Sequence, residues 1–213
     1  MPEHGFAFSP RSAVAHLKKS DARLAELIER AGPFRLELRP DPTFTSLLRA
    51  IVYQQLNGKA ASTIHGRVLD LIGPRRLPAD LLALDDAALR GAGLSRSKLL
   101  AVRDLAERAA SKTLPTRARL VRLDDEQVIE RLCEVRGIGR WSAQMLLMFN
   151  LGRPDVLPVG DFGVRTGYKL LMRARELPEP AALERRAERW RPYRSVASWY
   201  LWRAVALNAP RPQ

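Results

Sequence analysis

Apolar positions recur at helical spacing along nearly the whole chain. Val14, Leu17, Leu24, Leu27 and Ile28 form a stripe that Gly32-Pro33 ends, after which Phe34, Leu36 and Leu38 alternate as in a short extended segment. Asp41-Pro42 reads as a helix start, with Asp41 as N-cap and Pro42 as the first helical residue, ahead of Phe44, Leu47, Leu48, Ile51 and Val52. Gln54-Gln55-Leu56-Asn57-Gly58 should break that helix, because Asn-Gly favours a turn, and the next helix is expected over residues 59–72. Short helices follow at 81–84 and 87–90. Ser95 caps a longer one through residue 110 that carries Leu99, Val102, Leu105 and Ala109 on one face. Asp124 and Gln127 have the spacing of a capping box for a helix through Val128, Ile129, Leu132 and Val135. Three further helices are expected over 141–151, 162–172 and 195–208, then an irregular tail over 209–213. The fold class that results is all-α.

Length and composition narrow the function. The chain has 213 residues and 46% hydrophobic content, enough for one domain or two small lobes sharing a core. The lone cysteine, Cys133, rules out an internal disulfide and a cysteine-held zinc or iron–sulfur centre. His4, His16 and His65 have no ligand spacing, so no catalytic transition metal is expected. No apolar run approaches the roughly 20 residues that span a bilayer, and the first ten residues lack a signal-peptide core. A cytoplasmic, nucleoid-associated chain of a bacterial cell is expected, with no membrane partner. The formal net charge is +13, and 30 of the 36 basic residues are arginine. Residues 131–213 alone hold 15 basic and seven acidic groups. Arginine's planar fork suits phosphate oxygens and so favours nucleic acid, although a GC-rich coding sequence also enriches arginine.

The most informative stretch runs from Leu132 to Leu147. An apolar helix meets Gly137-Ile138-Gly139-Arg140, and a second apolar helix begins at once with Trp141. Glycines allow close backbone approach, and the amides opening the second helix lie at its positive dipole end, so an anion fits there. Ile138 would anchor the turn in the core. The stretch resembles the helix-hairpin-helix motif, whose amides hold a DNA phosphate without reading sequence; taken alone, it is also a plain interhelical turn.

Beyond it come Asn150-Leu151-Gly152-Arg153-Pro154-Asp155-Val156-Leu157-Pro158-Val159-Gly160-Asp161 and another helix. Hairpin, apolar helix and a loop ending Pro-x-x-Asp together resemble the helix-hairpin-helix DNA glycosylase superfamily, over about residues 44–207. That resemblance makes Asp161 the catalytic carboxylate, placed at a helix start and facing the DNA cleft; Asp155 fits better as a loop-surface residue. A fixed negative charge there stabilises positive charge on the sugar or orients the attacking water. Asp161 also reads as an ordinary N-cap, and both roles are compatible.

Members of the superfamily that also nick DNA carry a lysine where this chain has Trp141, so a monofunctional enzyme without lyase activity is implied. With Trp190 to Trp202, the pattern is most similar to the 3-methyladenine DNA glycosylase II branch. The resemblance assigns Trp141 and Trp202 to the base pocket, where indole faces would hold a cationic N-alkylated purine by stacking and cation–π attraction. Met145 stands where the branch has an aromatic, and Trp199 reads as core. The loop at Gln54-Gln55-Leu56 matches the one that fills the gap left by the extruded base, with Gln55 or Leu56 as the wedge. Arg96 and Lys98 correspond to a loop near the DNA backbone. A monovalent cation bridging the carbonyls of Arg136 or Ile138 to phosphate is also implied; no other cofactor is.

Together these readings give an enzyme acting as a monomer on duplex DNA with alkylated bases, without room for the extra β-rich N-terminal domain of other members. One lobe is expected over 41–152, ending in the hairpin, and a second over 1–40 plus 153–213, carrying Asp161, with the cleft between. Two other readings are a glycosylase for mismatched or oxidised bases, and a non-catalytic module that only grips phosphates.

Overall fold

The computed structural model describes residues 5–209, so His4 and residues 210–213 of the expected tail lie outside the described residues. Among the described residues the regular structure is helical throughout, with no strand. In chain order the helices are α1 (Pro10–Ser20), α2 (Ala22–Ala31), α3 (Thr43–Tyr53), α4 (Gly58–Ile72), α5 (Pro78–Leu82), α6 (Asp86–Gly91), α7 (Arg96–Ala110), α8 (Arg117–Leu120), α9 (Asp125–Cys133), α10 (Arg140–Phe149), α11 (Phe162–Met172), α12 (Pro180–Ala187) and α13 (Arg194–Asn208). They form two compact units. The first comprises the residues up to Arg39 and those from Leu147 on, and the second Pro40–Leu146, the division falling inside α10.

In the first unit the single amphipathic stripe of the sequence becomes two helices, because Asp21 ends one and starts the other. Its backbone is extended (φ −152°, ψ 108°), its N–H closes α1 on Leu17, and its Oδ1 accepts from the amides of Arg23 and Leu24. The same carboxylate, whose side chain is fully buried, receives the Arg186 guanidinium at 2.8 Å and the Trp190 indole N–H at 3.1 Å. Around it Leu17, Leu24, Leu27 and Ile28 pack with Val164, Leu183, Trp190, Val196, Tyr200 and Leu201. Phe34, Leu36 and Leu38 do alternate inward with exposed Arg35, Glu37 and Arg39, but the segment has no strand partner.

The second unit packs α3, α4, α5 and α7 around Leu47, Leu48, Ile51, Leu81, Leu89, Val102 and Leu105, all fully buried. Asp124 and Gln127 form the expected capping box on α9, and Ser95 caps α7. Asp41 does not cap α3: that position falls to Pro42, whose carbonyl takes the Ser46 amide. Asn57, part of the expected Asn-Gly turn, caps α4 by accepting from Ala60. The short α8, capped by Thr116, and α12, with Pro180 in its first turn, carry too few apolar positions to show a period.

One close approach sets the first unit's geometry. A Cβ on Gly167 of α11 would lie 2.1 Å from the Leu201 carbonyl oxygen of α13, so the two backbones meet where only a hydrogen fits. Gly167→Ala is expected to destabilise the protein by about 3 kcal/mol, because a helix must move to admit the methyl. Gly66→Ala, in open space on α4, should instead stabilise it by about 0.5–1 kcal/mol through helix propensity. Urea denaturation of both variants checks the contrast.

Candidate active site and nucleic-acid interface

In the second unit, α9 ends at Cys133 and the chain turns through residues 134–139 before α10 opens at Arg140. The Ile138 amide donates to the Val135 carbonyl (3.0 Å) and its side chain is buried, so the core fixes the turn. Gly137 has φ +79°, a left-handed conformation that favours glycine, and a Cβ there would come within 3.2 Å of the Ala101 methyl on α7. Both Gly137 and Gly139 are exposed. The first intrahelical bond of α10 runs from Ala143 to the Gly139 carbonyl, so the glycine turn sits at the positive end of the helix dipole, where backbone amides favour an anion.

The side chains around this turn divide into committed and exposed groups. The Arg140 guanidinium forks onto Glu126 (2.8 and 2.5 Å), which offsets much of its charge. Trp141 is 48% exposed and Met145 half-buried. Gln55 holds φ +57°; its side chain and that of Leu56 are exposed, as a wedge requires. Gln54, by contrast, is half-buried and bonds to the hairpin, its amide donating to the Gly137 carbonyl at 2.8 Å. Arg96 is exposed, but the Lys98 ammonium donates to the Val52 carbonyl at 2.7 Å, and burial holds its pKa below the ordinary lysine value.

In the first unit, Asp161 is the N-cap of α11. Its Oδ1 accepts from the Val164 amide (2.7 Å) and from the Trp202 indole N–H (2.8 Å), and its own amide donates to the Pro158 carbonyl. The indole in turn stacks on Phe149, centroids 5.9 Å apart and planes at 22°. Upstream, the loop is laced to the start of α13. Ser195 Oγ donates to the Arg153 carbonyl and accepts from the Val156 amide. Asp155 grips Arg194 through Nε (2.8 Å) and Nη2 (2.9 Å) and also takes Arg191 Nη1 (2.6 Å), so it is an ion-pair hub and not the loop-surface residue expected from sequence. Trp199 packs against Phe34 and Tyr200 at the core's edge.

Such a carboxylate has one orientation. The Val164 amide and the half-buried Trp202 indole both donate to its Oδ1. It can stabilise positive charge beside it without first reorganising, which is the requirement for electrostatic catalysis. Next to it Phe162 is 70% exposed, a large apolar face at the head of α11. Sequence reasoning missed Phe149 and Gly163. A Cβ on Gly163 would lie 2.8 Å from Trp202 Cδ1 and 3.1 Å from Asp161 Oδ1, so glycine is what lets the indole reach the carboxylate. The signal was present in the Gly163-x-x-x-Gly167 spacing, which marks one face of a helix for close packing.

Residues 48–192 match the family described as HhH-GPD superfamily base excision DNA repair protein. The chain belongs to this family. It is 34% identical to DNA-3-methyladenine glycosylase 1 of Schizosaccharomyces pombe, over 92% of this chain and 87% of that one. Among solved structures it is similar to the S. pombe 3-methyladenine DNA glycosylase in complex with abasic DNA, at TM-score 0.82 and 34% identity over 90% of this chain and 95% of that one. It is similar as well to a DNA-3-methyladenine glycosidase from Bacillus halodurans, at TM-score 0.83 and 40% identity over 92% and 91%. Among the described residues no helix is long and apolar enough to cross a membrane, and no group of histidine, cysteine and carboxylate side chains is placed to hold a metal.

Gly163→Ala should displace the Trp202 indole and cost the Asp161 carboxylate that donor, while the Val164 amide still caps α11 through it. Base release is expected to fall roughly tenfold, the worth of one charge-assisted hydrogen bond. Single-turnover base release, with circular dichroism to verify folding, tests this.

Proposed function

We propose that the protein is a monofunctional DNA-3-methyladenine glycosylase that removes alkylated purines from duplex DNA and leaves an abasic site. The observation that carries this reading is the Asp161 carboxylate, fixed by Val164 and by the Trp202 indole at the head of α11. The names of the relatives and the abasic DNA bound to one of them support it. An N-alkylated purine is cationic and leaves readily, taking the electron pair of the N-glycosidic bond. Asp161 stabilises the sugar cation that develops and orients water, whose oxygen bonds the anomeric carbon as its proton passes to solvent.

We assign Trp141, Met145 and Trp202 to the base, Gln55 and Leu56 to the gap it leaves, and the Gly137-Ile138-Gly139 backbone with Arg140 and Arg96 to the strand. If a monovalent cation joins the grip, the carbonyls of Arg136 or Ile138 would hold it and would bridge the hairpin to a phosphate. The enzyme acts as a monomer, in the cytoplasm at the nucleoid. A glycosylase for oxidised or mismatched bases would use the same carboxylate and differ in the base released.

Asp161→Asn keeps an acceptor for Val164 and Trp202, so folding and DNA binding should persist. Removing the charge should lower single-turnover excision by roughly 100-fold or more. Incubation with methylated genomic DNA and identification of the bases released checks both the activity and its substrate class. Unchanged release in the variant would remove Asp161 from the mechanism. Borohydride should trap no covalent complex of the wild-type enzyme on its substrate DNA, as Trp141 offers no amine.

A further inference from the structure

Five links within the second unit form a closed ring around the hairpin. Gln54, the residue that follows α3, donates its amide to the Gly137 carbonyl at 2.8 Å and lies 3.5 Å from Ser142 Oγ in the first turn of α10. Asp104 of α7 accepts from the Arg136 amide at 2.8 Å, and Ala101 of α7 faces the space a Gly137 side chain would need. Lys98, one turn earlier, donates to Val52 at 2.7 Å, in the last turn of α3. Residues 98, 101 and 104 fall at three-residue intervals, so one face of α7 touches both the hairpin and the C-terminal end of α3.

We infer that Gln54 and Lys98 are positioning residues that make the wedge loop and the phosphate-gripping hairpin a single rigid jaw, and that neither contacts DNA itself. Gln55 and Leu56, which project from the exposed loop, are one and two residues from the Gln54 strut. A phosphate drawn onto the hairpin amides therefore fixes where the wedge enters the duplex. Asp104 contributes twice, since its carboxylate also takes Arg108 Nε at 3.0 Å, which holds it in place for the Arg136 amide. The cation of Lys98 meets a carbonyl dipole at the negative end of α3, a favourable placement with no phosphate present.

This inference rests on the DNA-glycosylase reading, and its test separates the two. Binding of the full-length protein to a duplex with a tetrahydrofuran abasic analogue is measured for wild type, Gln54→Ala, Gly139→Ala and the double variant. Gly139 has open space around it, so its methyl obstructs a phosphate and not the fold. If Gln54 acts through the hairpin, losses of about fivefold and roughly tenfold combine to only about tenfold in the double variant. If Gln54 touches DNA independently, they multiply to about fiftyfold, which overturns the inference.

Two further readouts need neither catalysis nor the cycle. Amide hydrogen exchange over residues 134–142 of the DNA-free protein should quicken in Gln54→Ala, and unchanged exchange counts against the strut. In Lys98→Met the salt dependence of binding should keep its slope. A slope lower by about one would make Lys98 a phosphate ligand and sink its assignment here. If wild type binds the duplex yet releases no base from methylated DNA, the proposed activity fails while the cycle still decides the role of Gln54.

Discussion

The backbones of α11 and α13 meet with nothing between them at Gly167, and the placement of Trp202 beside Asp161 in the first unit depends on that contact. Four residues earlier the same face carries Gly163, where the gap is just wide enough for the Trp202 ring, and the helix then ends in Asp161. The indole N–H thus reaches the carboxylate because two glycines have removed whatever would keep the helices apart. Helix capping and the orientation of the Asp161 carboxylate are here one set of hydrogen bonds, and a carboxylate that is already oriented needs little reorganisation to stabilise a nearby positive charge.

The second unit solves a different problem, that of holding a turn stiff while leaving its amides turned outward. Burial of Ile138 supplies one constraint, and α7 supplies the others through Ala101 and Asp104. The polar side chains that add to this bracing, Gln54, Lys98 and Asp104, are half-exposed, the kind a sequence pattern assigns to a ligand. Gln54, bonded to the Gly137 carbonyl, and Lys98 of α7, bonded to the Val52 carbonyl, each spend a polar group on the fold.

The sequence made the helices legible wherever apolar positions kept a 3.6-residue period, and α11 begins and ends where that period predicted. Capping chemistry was equally readable at Ser95 and at Asp124 with Gln127, since the bonds involved are local. At Asp21 it was not, because nothing in a continuous stripe announces that one carboxylate will close a helix, open the next and hold Arg186. Asp161 stood out as a candidate only through its motif; its bond to Trp202 spans 41 residues of chain and depends on a packing distance that no local pattern encodes. Asp155 was misplaced for the same reason, its partners Arg191 and Arg194 being 36 and 39 residues away.

Those partners bear on the chain's preference for arginine. Arg194 holds Asp155 through two nitrogens of one plane, Arg186 does the same to Asp21, and Arg103 reaches Asp86 and the carbonyls of Leu81, Leu82 and Leu84 at once. A lysine ammonium is a point and cannot span such sets. At these positions the joints are shaped to a planar fork, so a lysine in any of them would keep the charge and still leave part of the set unpaired.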